Sequence, residues 1–351
     1  MAHMRRTLFA ALLGTIPFMS QAANYSAERV TEDGIEVLVL RDARAKAEVR
    51  IAPKVGNNAY SMKVNGQEIF FFPHKTVGEW AARPGMVGNP FLAPWANRID
   101  GEAYWVGGKK YLLNPALGSY RKDGNGLPIH GLIVYANDWA VTALAADDAS
   151  GAVATSRLVH HREAERAAQF PFAHSIEMTY RLRDGALEVE TAITNEGADA
   201  MPVMVGYHTY YQIPGVPRDQ WKVRVAAKDH VVLGPKLTPT GETKAVAPGD
   251  PLGLAGTQLD DVFTGLTQEA NGWTPFWVEG GGKRITVEYG PKYTVSVIYA
   301  PAGREFICFE PMTGVTNQFN LAHEGKFAGL LQMVGAGERW VESFRVKASG
   351  F

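Results

Sequence analysis

The stretch HSIEMTYRLRDGALEVETAITNEG constrains the fold more than any other part of the chain. Apolar Ile176, Met178, Tyr180 and Leu182 alternate with Glu177, Thr179, Arg181 and Arg183. After Asp184-Gly185, the residues Leu187, Val189, Thr191 and Ile193 alternate again with polar neighbours. A period of two puts successive side chains on opposite faces of a strand, and Asp-Gly between two such runs closes a tight hairpin. The same pattern recurs in AYSMKVNGQEIFFF around Asn65-Gly66 and in RITVEYGPKYTVSVIYA around Gly290-Pro291. Helical periodicity is confined to the short segment HHREAERAAQF. The 37 glycines and 20 prolines are scattered as turn punctuation, with no pooled hinge and no repeat. The expectation is an all-β fold, one large, mostly antiparallel β-sandwich domain over residues 23–351.

The balance of 35 basic against 36 acidic residues leaves a net charge of −1. No basic stripe for a phosphate backbone follows from that, so nucleic acid is not expected as a partner. Cys308 is the only cysteine, which rules out an intrachain disulfide and a thiolate metal cage. Its place inside FICFE reads as a buried thiol.

The first 22 residues read as a leader. Two arginines, an apolar run from Leu8 to Met19 and a small-x-small site at Ser20 and Ala22 have the layout of a cleavable signal peptide. The run is too short to span a membrane. Met1-Ala2-His3 before Met4 reads as a cloning scar. A periplasmic or secreted protein is the expectation.

Five segments interrupt the strand pattern with polar residues in apolar or Gly-Pro settings: PWANRIDG, LPIHGL, VGYHTYYQIPG, LDDVFTGL and FICFEP. They carry Asn97 and Arg98, His130, His208, Asp260 and Asp261, and Glu310. Each alone has an ordinary reading. An arginine after an apolar turn makes a structural ion pair, Asp-Asp marks a turn or a helix cap, and a glutamate ends a strand. Together, carboxylates and guanidinium suit a polyhydroxylated ligand, rings cover apolar sugar faces, and one His with one Glu moves protons in both directions.

In this order, the segments PWANRIDG, GGKKYLLN, LPIHGL, ND-W, GYHTYY, DDVF and FEPMTGVTNQFN resemble the aldose 1-epimerase (galactose mutarotase) family, from Gly34 onward. The resemblance implies a large antiparallel β-supersandwich that needs no metal and no organic cofactor. It also implies that a monosaccharide is the partner and that a free aldose such as galactose or glucose is interconverted between its anomers. By the same resemblance Glu310 is the general base and His208 the general acid. Arg98, His130 and Asp260 bind hydroxyls, and Asn97 supports them. The resemblance prefers Asp260 over Asp261, because it stands three residues before Phe263 as the family's ligand aspartate usually stands before its aromatic. Two departures stand out: Thr209 follows His208 where many relatives have proline, and the strand before the glutamate has no evident counterpart of a glutamine that some members carry there.

On the pleat of Phe306 to Glu310, the glutamate shares a face with Phe306 and Cys308, and Pro311 is expected to end the strand pairing. An apolar rim raises the pKa of such a carboxylate. Rival readings are a non-catalytic carbohydrate-binding protein on the same fold, a glycoside hydrolase using two carboxylates, and a hexose-phosphate epimerase. The last would need additional cations near the pocket and a cytoplasmic substrate, and the signal peptide argues against it.

Overall fold

The computed structural model describes residues 24–247 and 251–351, so the leader read in residues 1–22 lies outside the described residues. The fold is all-β and antiparallel. Among the described residues, one nine-stranded sheet runs in the order Ala140–Asp147, Gly151–Val159, His174–Arg183, Ala186–Asn195, Arg339–Ser349, Lys283–Tyr289, Thr274–Gly280, Lys222–Arg224 and Leu252–Gly253. An eight-stranded sheet packs on it, with Ile307–Met312 between Val295–Ala300 on one side and the short strands Gly206–Tyr207 and Thr209–Tyr211 on the other. A five-stranded meander spans Tyr25–Glu32 to Gln67–Glu68.

The hairpin expectation holds at two places. His174–Arg183 and Ala186–Asn195 pair in one unbroken register from His174 opposite Asn195 to Arg183 opposite Ala186. Asp184 and Gly185 take φ of 50° and 73°, the left-handed pair a two-residue turn of matching twist requires. Asn65 and Gly66 do the same between Asn58–Val64 and Gln67–Glu68.

Gly290-Pro291 is different. Both flanking segments are strands, but Lys283–Tyr289 lies in the nine-stranded sheet and Val295–Ala300 in the eight-stranded one, so the chain steps between layers instead of folding back. The step is held by Glu342, whose carboxylate accepts from the backbone N–H of Lys292 at 2.5 Å. It leaves no room for a side chain at Gly290, where a Cβ would lie 2.0 Å from Glu342 Oε1. The helical segment is a 3-10 turn, His160–Arg162, followed by a helix Ala164–Gln169. Two further six-residue helices, Val77–Ala82 and Gln318–His323, carry too few turns for a periodic signal.

The core lies between the two large sheets. Tyr207 packs on Phe344 and Phe309 on Phe276, while Tyr289 and Ser296 share a hydrogen bond across the layers at 3.1 Å. On Ile307–Met312, Ile307 and Phe309 enter this core, whereas Cys308 joins Tyr210 and Phe306 in a separate cluster on the opposite face. Glu310 belongs to that opposite face by the alternation of the strand. The nine-stranded sheet therefore serves as a rigid backing, and the chemistry-bearing face of the eight-stranded sheet is turned away from it.

Candidate active site

The pairing does not end at Pro311. Val297 stands opposite Glu310 and Ser296 opposite Pro311, and on the other side Thr209 faces Phe309 while Gly206 faces Met312. A proline lacks only its own ladder donor. It is accommodated here because the neighbouring strand is itself interrupted at His208, between Gly206–Tyr207 and Thr209–Tyr211. Continuing the register across that interruption puts His208 opposite Glu310. Residues directly opposite on one face bring their side chains together, and His208 Nε2 lies 3.2 Å from Glu310 Oε1.

Both groups are buried, His208 at 7% and Glu310 at 1% exposure. Burial pushes the Glu310 carboxyl well above the usual carboxylate range; the negative charge of Asp260 pushes the same way and the positive charge of Arg98 opposes it. Burial also brings the His208 imidazole down to about 3, helped by the charges of Arg121 and Arg98. His208 is fixed by its backbone N–H, which donates to the carbonyl of Pro90 at 3.0 Å, and by stacking on Tyr210. His130 meets it edge-on at 5.4 Å between ring centroids.

Arg98 and His130 come from two loops that hold each other. Asn97 and His130 both take left-handed backbone conformations, and the His130 N–H donates to the Asn97 carbonyl. Asn97 Oδ1 accepts from both the backbone N–H and Nη1 of Arg98, at 3.0 Å each, and so aims the guanidinium. Nε of Arg98 donates to Asp123 at 2.6 Å. Burial raises Asp123, but the Arg98 hydrogen bond and the N–H groups of Leu127 and Asn125 outweigh it, so its carboxyl sits below its usual range. The NQFN segment contributes a brace: the Asn317 N–H donates to the Arg98 carbonyl at 2.8 Å, and its Oδ1 accepts from Asp100 N–H at 3.0 Å. Gly131 is required beside His130, since at its φ of 69° a Cβ would lie 2.1 Å from the Ala93 carbonyl oxygen.

Asp260 and Asp261 lie within the strand Leu259–Leu266 rather than in a turn or cap. Alternation separates them. Asp260 lines the cavity and Asp261 pairs with His230 at 2.8 Å. The Asp260 carboxyl is raised by burial, against the opposing charge of Arg98 and with Asp261 adding to the rise.

All six expected residues, Asn97, Arg98, His130, His208, Asp260 and Glu310, line one cavity of about 270 Å³. Three buried polar atoms in its wall, His130 Nδ1, His208 Nδ1 and Glu310 Oε2, make no hydrogen bond among the described residues. Buried polar groups ordinarily find partners, so this wall is shaped to hydrogen-bond a guest.

A family model described as aldose 1-epimerase matches residues 37–347. The chain belongs to the aldose 1-epimerase family.

Solved structures with the same fold include a galactose mutarotase-like protein from Clostridium acetobutylicum, at 22% identity over 93% of this chain and 99% of that one, with a TM-score of 0.82. A galactose mutarotase-like protein from Lactobacillus casei shares 18% identity over 89% and 99% of the two chains (TM-score 0.67). The GalM/aldose epimerase homologue from C. elegans shares 18% over 86% and 95% (TM-score 0.66). Family membership brings a family-level aldose-epimerase role.

Of the two departures from the family pattern, the structure accounts for Thr209, and nothing in it explains the missing glutamine. Thr209, where many relatives carry proline, donates its hydroxyl to Asn89 Oδ1 at 2.5 Å and so secures the residue after His208 by a side-chain bond. The strand before the glutamate presents Tyr299 to the cavity.

Sequence reasoning missed Asp123, Arg121 and Tyr299. Asp123 and Arg121 sit in RKDGNG, which reads as a turn, and indeed Asp123 caps that turn through Asn125 and Leu127. Tyr210 was legible only as one aromatic among three. Alternation buries Tyr207 and Tyr211 in the core and gives Tyr210 to the cavity.

Proposed function

We propose that this aldose 1-epimerase is a mutarotase acting on a free aldose such as galactose or glucose, with Glu310 and His208 as its proton-transfer pair. The observation that carries this reading is the 3.2 Å contact between His208 Nε2 and Glu310 Oε1 in the cavity wall. In the ring-opening step Glu310 takes the proton of the C1 hydroxyl. The C1–O5 bond breaks as the C1 carbonyl forms, and O5 takes a proton from His208. Rotation about C1–C2 presents the other carbonyl face. On closure O5–H returns its proton to His208, O5 attacks C1, and the carbonyl oxygen takes the proton from Glu310.

The cycle needs one proton on the pair. In the free site burial favours that proton on Glu310 and a neutral His208. Ring opening needs it on His208, one transfer away across the existing contact. Arg98, His130 and Asp260 hold the sugar hydroxyls, and Asn97 anchors Arg98. Tyr210, Tyr299 and Met86 offer apolar surface for the ring. A cavity of about 270 Å³ suits one sugar ring rather than an oligosaccharide.

Polarimetry of freshly dissolved α-anomers tests the reading. Acceleration beyond the spontaneous and buffer-catalysed rate is expected, and its absence for every aldose tried would remove the catalytic assignment. We also propose that the protein acts after export, on the strength of the leader-like first 22 residues. Mass spectrometry of protein expressed with its leader should give a chain starting near Ala23; an intact leader on soluble cytoplasmic protein would argue for residence in the cytoplasm.

A further inference from the structure

Of the methionines after residue 22, Met62, Met178, Met201, Met204 and Met312 are buried, each at 2% exposure or less. Two remain accessible. Met333 is 45% exposed on the surface, and Met86 is half-buried in the wall of the candidate catalytic cavity. The loop that bears Met86 is pinned on both sides of it. The Gly85 carbonyl accepts from Trp80 Nε1 at 3.0 Å, and the Val87 carbonyl accepts from Asn58 Nδ2 at 2.9 Å. One residue on, the Gly88 carbonyl accepts from the Tyr210 N–H at 2.8 Å. Met86 packs on the cluster of Tyr210, Phe306 and Cys308. Within it Tyr210 lies 5.1 Å from Phe306 and stacks on His208 at 4.7 Å between ring centroids. An accessible thioether is thus held against the ring that steadies His208.

We propose, building on the mutarotase reading above, that Met86 is a modification site for hydroperoxides and that its sulfoxide shuts the cavity to sugar. The sulfur attacks one oxygen of hydrogen peroxide, the O–O bond breaks, and the other oxygen leaves as water. Sulfur loses two electrons and the peroxide gains them. The product exchanges an apolar, adaptable group for a polar S=O. Phe71 and Phe306 give that oxygen no donor, and the pinned loop keeps it from turning out to solvent. It competes with sugar hydroxyls for the donors of the cavity wall and disturbs the stack of Tyr210 on His208. The buried methionines, out of reach of the oxidant, stay reduced.

The test treats the parent, Met86→Leu and Met333→Leu with hydrogen peroxide. Peptide masses follow each methionine, and polarimetry gives kcat/KM for galactose and glucose. Each protein is compared with its own untreated sample. In the parent kcat/KM is expected to fall at least about tenfold as Met86 gains one oxygen, the cost of a poorly satisfied polar group in the wall. Met333→Leu should fall equally, and Met86→Leu should hold its untreated value. A second readout needs no variant. The better-bound sugar, at about ten times its dissociation constant, should slow oxidation of Met86 about tenfold and leave that of Met333 unchanged. Full activity with Met86 oxidised, an equal loss in Met86→Leu, or oxidation of Met86 that sugar does not slow overturns the assignment. If neither sugar is turned over before treatment, the ring-opening reading fails instead. Calorimetric affinity for the same sugars then reads the effect of Met86 oxidation by the same ratio. If neither sugar binds, the proposal falls as well.

Discussion

The backbone N–H of His130 donates to the carbonyl of Asn97 at 2.9 Å, with the two residues at φ of 64° and 58°. Two left-handed residues thus lock two loops into one wall, and the Asn97 side chain then aims Arg98. Backbone and side chain can be separated. Asn97→Gly keeps a residue at ease with positive φ, while Asn97→Ala keeps a Cβ but loses the short polar side chain that eases the left-handed conformation, at a cost of about 1–2 kcal/mol relative to Gly. Denaturant midpoints should rank Gly above Ala. Both should lose about tenfold in kcat/KM, because both release Arg98. Full activity in Asn97→Gly would mean that the Asn97 clamp on Arg98 does not matter.

The two adjacent aspartates give a second contrast. Asp260→Ala removes a cavity carboxylate and should lower kcat/KM about tenfold or more. Asp261→Ala breaks a half-exposed pair with His230, worth about 1 kcal/mol or less of stability, and should leave catalysis nearly intact. Polarimetry showing the reverse order would transfer the ligand role to Asp261.

How far the sequence could be read depended on how local the deciding contact is. The hairpin from His174 to Asn195 is decided by alternation and by Asp184-Gly185, all within the segment. The step at Gly290-Pro291 is decided by Glu342, more than fifty residues on, and no pattern in the segment distinguishes it from a hairpin. The site divides in the same way. Glu310 and His208 each have an ordinary reading alone, and it is the order of motifs, through the family resemblance, that supplies them together with Asn97, Arg98, His130 and Asp260. Arg121 and Asp123 look like solvated turn residues until the fold brings Asp123 to Arg98. Pro311 misled because a strand-ending rule ignores that its neighbour is broken at His208.

The proton count sets the pH profile. Activity requires one proton on the Glu310–His208 pair. A second proton must go to His208, whose pKa is lowered from 6.5 to about 3 by burial and by Arg121 and Arg98. The acid limb of kcat/KM should therefore fall well below pH 6.5, the ordinary histidine value. The alkaline limb comes when the pair loses its single proton, and burial together with Asp260 moves that loss above the usual carboxylate range. An acid limb centred near the ordinary histidine value would sink this assignment.

Glu310→Gln tests mechanism and stability together. The amide keeps the shape and still hydrogen-bonds the C1 hydroxyl, but it cannot accept its proton, so mutarotation should fall by about 10²–10⁴-fold. Sugar affinity by calorimetry should change far less, because Arg98, His130 and Asp260 remain. His208→Asn should behave alike, and the double variant should be little worse than either single, since one relay is broken twice. Stability should move the other way. A carboxyl whose pKa is raised in the folded state keeps its proton there while the unfolded chain gives it up. Its stabilising contribution is therefore complete below the unfolded pKa and is lost as pH rises toward the folded one. Gln carries no such linkage, so the Tm of Glu310→Gln relative to the parent should rise between about pH 5 and pH 8, as expected where an active site holds a costly group in place. A Tm difference independent of pH would show that Glu310 is not held protonated by burial. Parent-like mutarotation in the folded variant would end its role as the base.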